Sequence, residues 1–272
     1  MSDDPSASGP PGTGIDTTVA HPARIWNYWI GGKDNFAVDR EVGEQLMSIL
    51  PELVRSVRAD RHFLARAVQY LADHEGIRQF LDVGTGLPTA DNTHQIAQRV
   101  AQESRIVYVD NDPLVLSHAR ALLTSTPQGA CDYIHADVRD PGAILSGAAA
   151  TLDLARPVAI MMLGILNFVL DPGEAQAIVH RLLDSVPSGS YLVISHPTAE
   201  VDPEPAMRMQ QVWNQQGAVP IRMRTREEII RFFDGLDLVE PGVVSCSRWR
   251  PGPVDVGEIV EVAHFCGVAR KP

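Results

Sequence analysis

Apolar positions along this chain follow one rhythm up to about residue 75 and another after it. From His21 to Leu71 they recur every three to four residues, the spacing of helices that bury one face. Ile25, Trp26, Trp29 and Ile30 mark a first helix, started by His21-Pro22 and stopped by Gly31-Gly32. A second is predicted over Asp39 to Leu50. Pro51 opens a third, with Val57, Leu64, Ala67, Val68 and Leu71 on one face. Asp60 falls on that same face, where an acid needs a partner; an arginine in the core is expected, a ligand being the alternative.

From Gln79 short apolar runs alternate with helical stretches, the pattern of a parallel sheet. The runs are RQFLDV, RIVYVD (Arg105 to Asp110), DYIHAD (ending at Asp137), PVAIMML and YLVISH (ending at His196), followed by LDLVEPGVV and EIVEVAHFCGVA as two final strands. PVAIMML is apolar throughout and reads as a central strand covered on both faces. Asp112-Pro113, Asp140-Pro141 and Asp171-Pro172 each join an N-cap to a first-turn proline. Leu116, Ala119, Leu122 and Leu123 form the apolar side of the helix after Asp112. Pro203 to Gln216 reads as an inserted helix, and Thr225 to Phe233 as another, with Thr225 and Glu228 spaced as a capping box. The domain reading is a disordered Pro/Gly/Ser/Asp-rich tail over 1–20, a helical extension or lid over 21–76, and an α/β domain over 77–272.

Composition narrows the chemistry. A net charge of −11 repels phosphate backbones and makes nucleic acid a poor partner; RMRTR, Arg222 to Arg226, reads as a solvated helix start. Cys131, Cys246 and Cys266 form no CxxC pair, which fits a reducing compartment and argues against a structural metal site. No apolar run is long enough for a membrane span, and the acidic start lacks the apolar core of a signal peptide. A cytoplasmic protein is expected.

The candidate chemistry centres on FLDVGTGLPT, Phe80 to Thr89: a strand ending in Asp82, a Gly84-Thr85-Gly86 turn, then a helix. Glycine there permits positive φ and close approach of a ligand to the main chain. Two further strands end in acids. Asp110, closing the second, is suited to accept hydrogen bonds from vicinal ribose hydroxyls, while Asp112 serves as the helix cap. Asp137, closing the third, is either a turn residue or an acceptor for an adenine amino group.

In order, DVGTG, YVDNDP, HADVRDP and MLGILNFV resemble the motifs of Rossmann-like methyltransferases that use S-adenosylmethionine (SAM). ARIWNYWIGGKDNFAVDRE, RQFLDVGTGLPT, VYVDNDPLVLSHAR and GSYLVISH are similar to one particular SAM methyltransferase family, formerly catalogued as a domain of unknown function, from about Pro22 to Lys271. The resemblance implies a seven-stranded, mostly parallel sheet in the order 3-2-1-4-5-7-6, helices on both faces, and the last strand antiparallel. It implies that Asp82, Gly84 and Gly86 line the methionine end of SAM and that Asp110, with Asn111 beside it, holds the ribose. Asp137 and Val138 would read the adenine, and Leu163 and Gly164 would meet the methionine ammonium. Pro88 departs from a third glycine, which moves the expected helix start to Asn92 or Thr93. Asn167 stands where relatives carry His, which weakens that position as a source of a base.

The expected activity is methyl transfer to a small molecule. The alternatives are a SAM-binding regulator and an NAD(P)-dependent oxidoreductase; the latter's GxGxxG has Thr89 at its third place, and Asp82 would repel a pyrophosphate. A cover over the cofactor is predicted from Trp26 to Phe36, around the glycine pair, with Trp26, Tyr28, Gly32, Lys33, Asp34 and Asn35 as its site residues. His196, at the carboxyl edge of the fifth strand, is the candidate base, with a loop-tying hydrogen bond as the competing role. His135 is weaker, because alternation from Asp137 puts it inside the sheet.

Overall fold

The structure, a computed structural model, describes residues 16–88, 91–122, 124–216, 219–252 and 259–272. Most of the predicted tail, Thr89, Leu123 and the last three residues of the SRWRPGPVD link therefore lie outside the described residues. Residues 16–20 do not behave as a free tail. The Arg24 guanidinium donates to the carbonyls of Asp16 (2.9 Å) and Val19 (2.6 Å), and Ala20 is buried.

The helical rhythm gives α1 (Pro22–Trp29), α2 (Ala37–Ile49) and α3 (Leu53–Asp73). The alternating part gives β1 (Gln79–Val83), α4 (Thr93–Val100), β2 (Arg105–Asp110), α5 (Pro113–Leu122) and β3 (Ala130–His135). It continues with α6 (Pro141–Ala148), β4 (Ala159–Leu163), α7 (Pro172–Leu183), β5 (Tyr191–Pro197), α8 (Pro203–Gln216) and α9 (Arg226–Ile230). Short strands β6 (Asp237–Leu238) and β7 (Val244–Ser245) precede β8 (His264–Arg270). The predicted starts hold where a side chain satisfies an orphan amide. Asp140 accepts from Ala143 N, Asp171 from Glu174 N and Thr225 from Glu228 N. α4 begins at Thr93 after the N-cap Asn92, with Gln95 completing its capping box, the late start expected from Pro88.

The strands form one sheet in the order β3-β2-β1-β4-β5-β8-β6, with β7 also on β8. β1 to β5 pair in parallel, and β8 runs antiparallel to β5, β6 and β7. This is the expected order with eight strands in place of seven. LDLVEPGVV is broken by a turn at Glu240-Pro241, where proline cannot donate to a ladder, so one predicted strand becomes β6 and β7. The last strand starts at His264, several residues later than its apolar pattern implied.

Alternation sorts the sheet's side chains into two layers. Leu81, Val107, Ile160, Met162 and Ile194 pack with α6, α7 and α9 on one side. Phe80, Ile106, Ala159, Met161 and Val193 pack against Phe63, Ala67 and Leu71 of α3 and Ile96 of α4 on the other. A third cluster joins α1 and α2 to Met209 and Trp213 of α8, so the inserted helix packs on the N-terminal helices. Chain order reverses between β1 and β4, which places a crevice at the carboxyl ends of these strands.

Candidate functional site

At the end of β1 the backbone turns sharply. Gly84 has φ +77° and Gly86 φ +66°, a region side-chain-bearing residues avoid. A Cβ on Gly84 would meet Ile165 Cβ at 2.6 Å, whereas one on Gly86 would meet nothing within 4 Å. The first glycine is thus required by packing against the β4 loop, and the second opens onto free space. Gly84 N donates to Val109 O (2.8 Å) and Gly86 N to Asp110 Oδ2 (2.8 Å), locking the turn to β2.

The strand-end acids differ in setting. Asp82 is buried and accepts from Thr93 Oγ1 at 2.6 Å. Burial pushes its pKa up to about 6, against the opposing effects of the Thr93 bond and the Arg61 charge. Asp110 is also buried and raised; besides Gly86 it accepts from Asp112 N at 3.0 Å. Asp112 takes the capping role, accepting from Leu114 N (2.8 Å), and its other oxygen lies 2.9 Å from His21 Nδ1. That contact fastens the start of α1 to the end of β2. Asp137 accepts from Asn111 Nδ2 (3.2 Å) and Arg139 N (2.8 Å).

All the residues proposed for the cofactor line one cavity: Asp82, Gly84, Gly86, Asp110, Asn111, Asp137, Val138, Leu163 and Gly164. The cavity extends past Gly164 into a second half walled by α1, α3, α8 and the start of β8. Of the predicted cover, Trp26 and Trp29 border it, Trp26 lying 4.0 Å from where a Cβ on Gly164 would sit. Tyr28 packs on Gly43 and donates to Glu44. Gly32, Asp34 and Asn35 are gathered around the Asn27 side chain, which accepts from Asp34 N (3.0 Å) and Asn35 Nδ2 (2.9 Å). Lys33 is exposed. Asn27 ties the glycine turn to its own helix, so the wall over the cavity is α1 itself, with His21, Ala23 and Trp29 beside Trp26.

His196 is fully buried, and both ring nitrogens are engaged. Nδ1 lies 2.9 Å from Pro197 O, and Nε2 lies 2.8 Å from Arg224 Nη1. Burial and the Arg224 charge hold its pKa down to about 3. A ring whose lone pair already accepts from a guanidinium cannot take a proton from an acceptor. The geometry fits the loop-tying alternative: Arg224 also donates to Leu166 O (2.8 Å) and Val169 O (2.7 Å), pinning the loop after β4. His135 is exposed instead of inside the sheet, because β3 is an edge strand; its Nε2 lies 3.0 Å from Asn111 O.

Asp60 has a histidine, not an arginine, as its partner among the described residues. Its Oδ1 lies 3.9 Å from His264 Nε2 and 4.0 Å from Cys246 Sγ. Asp60 and His264 both border the cavity, as do Met209, Trp213, Ile221 and Met223, which carried no motif signal in the sequence. Among the described residues, no helix is long and apolar enough to cross a membrane, and no cluster of three or more acidic, histidine or cysteine side chains could hold a metal ion.

Comparison with known proteins agrees with this architecture. The family model for S-adenosyl methyltransferase matches residues 8–272. A DUF574 family protein from Streptomyces avermitilis is similar at 48% identity over 94% of this chain and 99% of that one, with a TM-score of 0.91. A candidate methyltransferase from Thermobifida fusca is similar at 38% identity over 98% of this chain and 99% of that one, with a TM-score of 0.86. No match is found among curated proteins. The chain belongs to the S-adenosyl methyltransferase family.

Proposed function

We propose that this SAM-dependent methyltransferase acts on a small molecule held in the second half of the cavity, in the cytoplasm. The observation that carries the reading is the division of one cavity into a polar end, made by the glycine turn and strand-end acids, and an apolar end beyond Gly164. The polar end suits SAM. Gly86 leaves an open cradle, Asp110 offers a carboxylate at the end of β2, and Asp82 places a second acid below a cationic ligand. When bound, SAM supplies a methyl group already activated by its sulfonium charge.

The chain's part is to bind, orient and exclude water. Asp110 holds the ribose hydroxyls, and the Gly86 amide keeps that carboxylate in place. Asp137 and Val138 border the adenine. Leu163 and Gly164, with φ +60° at Gly164, present main chain to the amino-acid end. Trp26 closes the site from above. Neither alternative is favoured: the family is one of methyltransferases, and the acid before the glycine turn opposes a dinucleotide pyrophosphate. Calorimetry with SAM, S-adenosylhomocysteine and NADH tests the reading. Binding of the first two and not the third is expected; NADH binding without SAM binding would overturn it.

A further inference from the structure

The second half of the cavity is lined by the indoles of Trp26, Trp29 and Trp213. Trp26 and Trp29 meet at 6.2 Å and 61°, and Trp29 and Trp213 at 6.1 Å and 45°. Rings set at such angles offer both faces and edges, which grip planar aromatic molecules better than aliphatic ones. Polar atoms interrupt this wall at few places. Asn167 Oδ1 is buried and has no hydrogen-bond partner, in a cavity-lining residue only 5% exposed. Unpartnered buried polar atoms are costly, and at a cavity wall they point to a ligand that carries the missing group.

His264 is built for more than recognition. Nε2 is sealed with Asp60 Oδ1 3.9 Å beyond it, while Nδ1 has no partner among the described residues and is not sealed. An acid facing one ring nitrogen favours the proton there and leaves the lone pair on the other. Burial keeps the ring neutral by lowering its pKa, with Asp60 opposing. The other ionisable groups near the pair are Asp82 near the end of β1, Arg61 and Arg66 on α3, His196 on β5, itself held neutral by burial and Arg224, and the buried thiols Cys246 and Cys266. His264 borders the cavity with Trp26, their rings 6.0 Å apart at 71°.

We propose that this half takes a neutral planar aromatic acceptor with a hydroxyl or amine head, and that His264, oriented by Asp60, receives the head's proton. The inference rests on the methyl-transfer reading above. The head's oxygen or nitrogen uses a lone pair to bond the methyl carbon, and the carbon–sulfur bond breaks with its electron pair returning to sulfur. The proton of the head passes to His264 Nδ1, giving an imidazolium beside the Asp60 carboxylate, and leaves to solvent with product release. Asp60 is a positioning residue. A charged acceptor fits poorly, since Trp26, Trp29 and Trp213 share the wall with Leu50, Val57 and Ile221, which give a charge no compensation.

The test uses 2-naphthol and 2-methoxynaphthalene, which share a ring system and differ in the O–H. Each is titrated calorimetrically into protein saturated with S-adenosylhomocysteine. Wild type should prefer 2-naphthol about fivefold to tenfold, the worth of one hydrogen bond. His264→Ala should bring that ratio to about one with S-adenosylhomocysteine affinity unchanged, and Trp213→Leu should weaken both probes equally. Should His264→Ala fail to fold, His264→Asn serves, with the same loss of preference expected. The ring-nitrogen shifts of His264 by NMR should show the proton on Nε2 in wild type and a mixed tautomer in Asp60→Asn. A wild type that binds S-adenosylhomocysteine but not 2-naphthol, or a ratio untouched by His264→Ala, would overturn this inference alone. Failure to bind S-adenosylhomocysteine would overturn the methyl-transfer reading and this one with it.

Discussion

The two halves of the cavity are built by opposite strategies. The polar half comes from strand ends that follow one another in the chain: Asp82 near the end of β1 with Gly84 in the turn after it, Asp110 closing β2 and Asp137 just past β3. The apolar half is assembled from distant segments, with Trp26 on α1, Asp60 on α3, Trp213 on α8 and His264 on β8. The first is marked by consecutive strand and turn residues, with the Gly84 and Gly86 amides joining the β1 turn to β2. The second exists only once α1, α2 and α8 have packed into their shared cluster. A cofactor common to many reactions can be held by the first device, while an acceptor that varies is met by parts free to change independently.

The comparison breaks most visibly if the glycine turn is altered. In Gly84→Ala a methyl would lie 2.6 Å from Ile165 Cβ at φ +77°. Strain in the left-handed region and overpacking should together cost about 2–5 kcal/mol of stability. Chemical denaturation reads this directly. Gly86→Ala faces no such overlap and should cost only about 1–2 kcal/mol from its φ.

Asp110→Ala removes a charged acceptor for two hydroxyls and should weaken SAM binding by about 1.5–3 kcal/mol, at least tenfold. An unchanged affinity in the folded variant would remove the ribose assignment.

A pH series sharpens the contrast further. The Asp82 carboxyl sits at about 6 in the fold, above its ordinary 3.8, so its ionised form is the disfavoured one. Its charge therefore costs stability above pH 6, and that cost fades as pH falls through 6 toward 4. A cationic ligand reverses the preference and expels the proton. SAM affinity should thus fall by up to about tenfold between pH 7 and pH 5, and Asp82→Asn should flatten that slope. Smallest is Met223→Ala in the apolar half, where SAM affinity should stay within about twofold because distant sites act nearly independently.

What the sequence made legible follows the same division. The N-caps at Asp140 and Asp171 were readable because each is satisfied by a backbone amide three residues on. The acid-and-glycine strand ends were readable because each closes its own apolar run, although the Gly86 amide that holds Asp110 lies 24 residues before it. The split of LDLVEPGVV was signalled by Pro241 and was read through. His196 misled because its position at the carboxyl edge is suggestive, while the Arg224 that engages it lies 28 residues on. Likewise the GGKDN turn looks hinge-like, but Asn27, inside the preceding helix, holds it. His264 had no signal at all: it gains meaning only when β8 inserts beside β5 and brings it to Asp60 on α3.

The most direct test is a calorimetric SAM titration of wild type, Asp110→Ala and Trp213→Leu under identical conditions. If the cavity is divided as described, Asp110→Ala loses at least tenfold in affinity while Trp213→Leu stays within about twofold of wild type. Equal losses in both variants, or a loss confined to Trp213→Leu, would contradict the division between a cofactor end and an acceptor end.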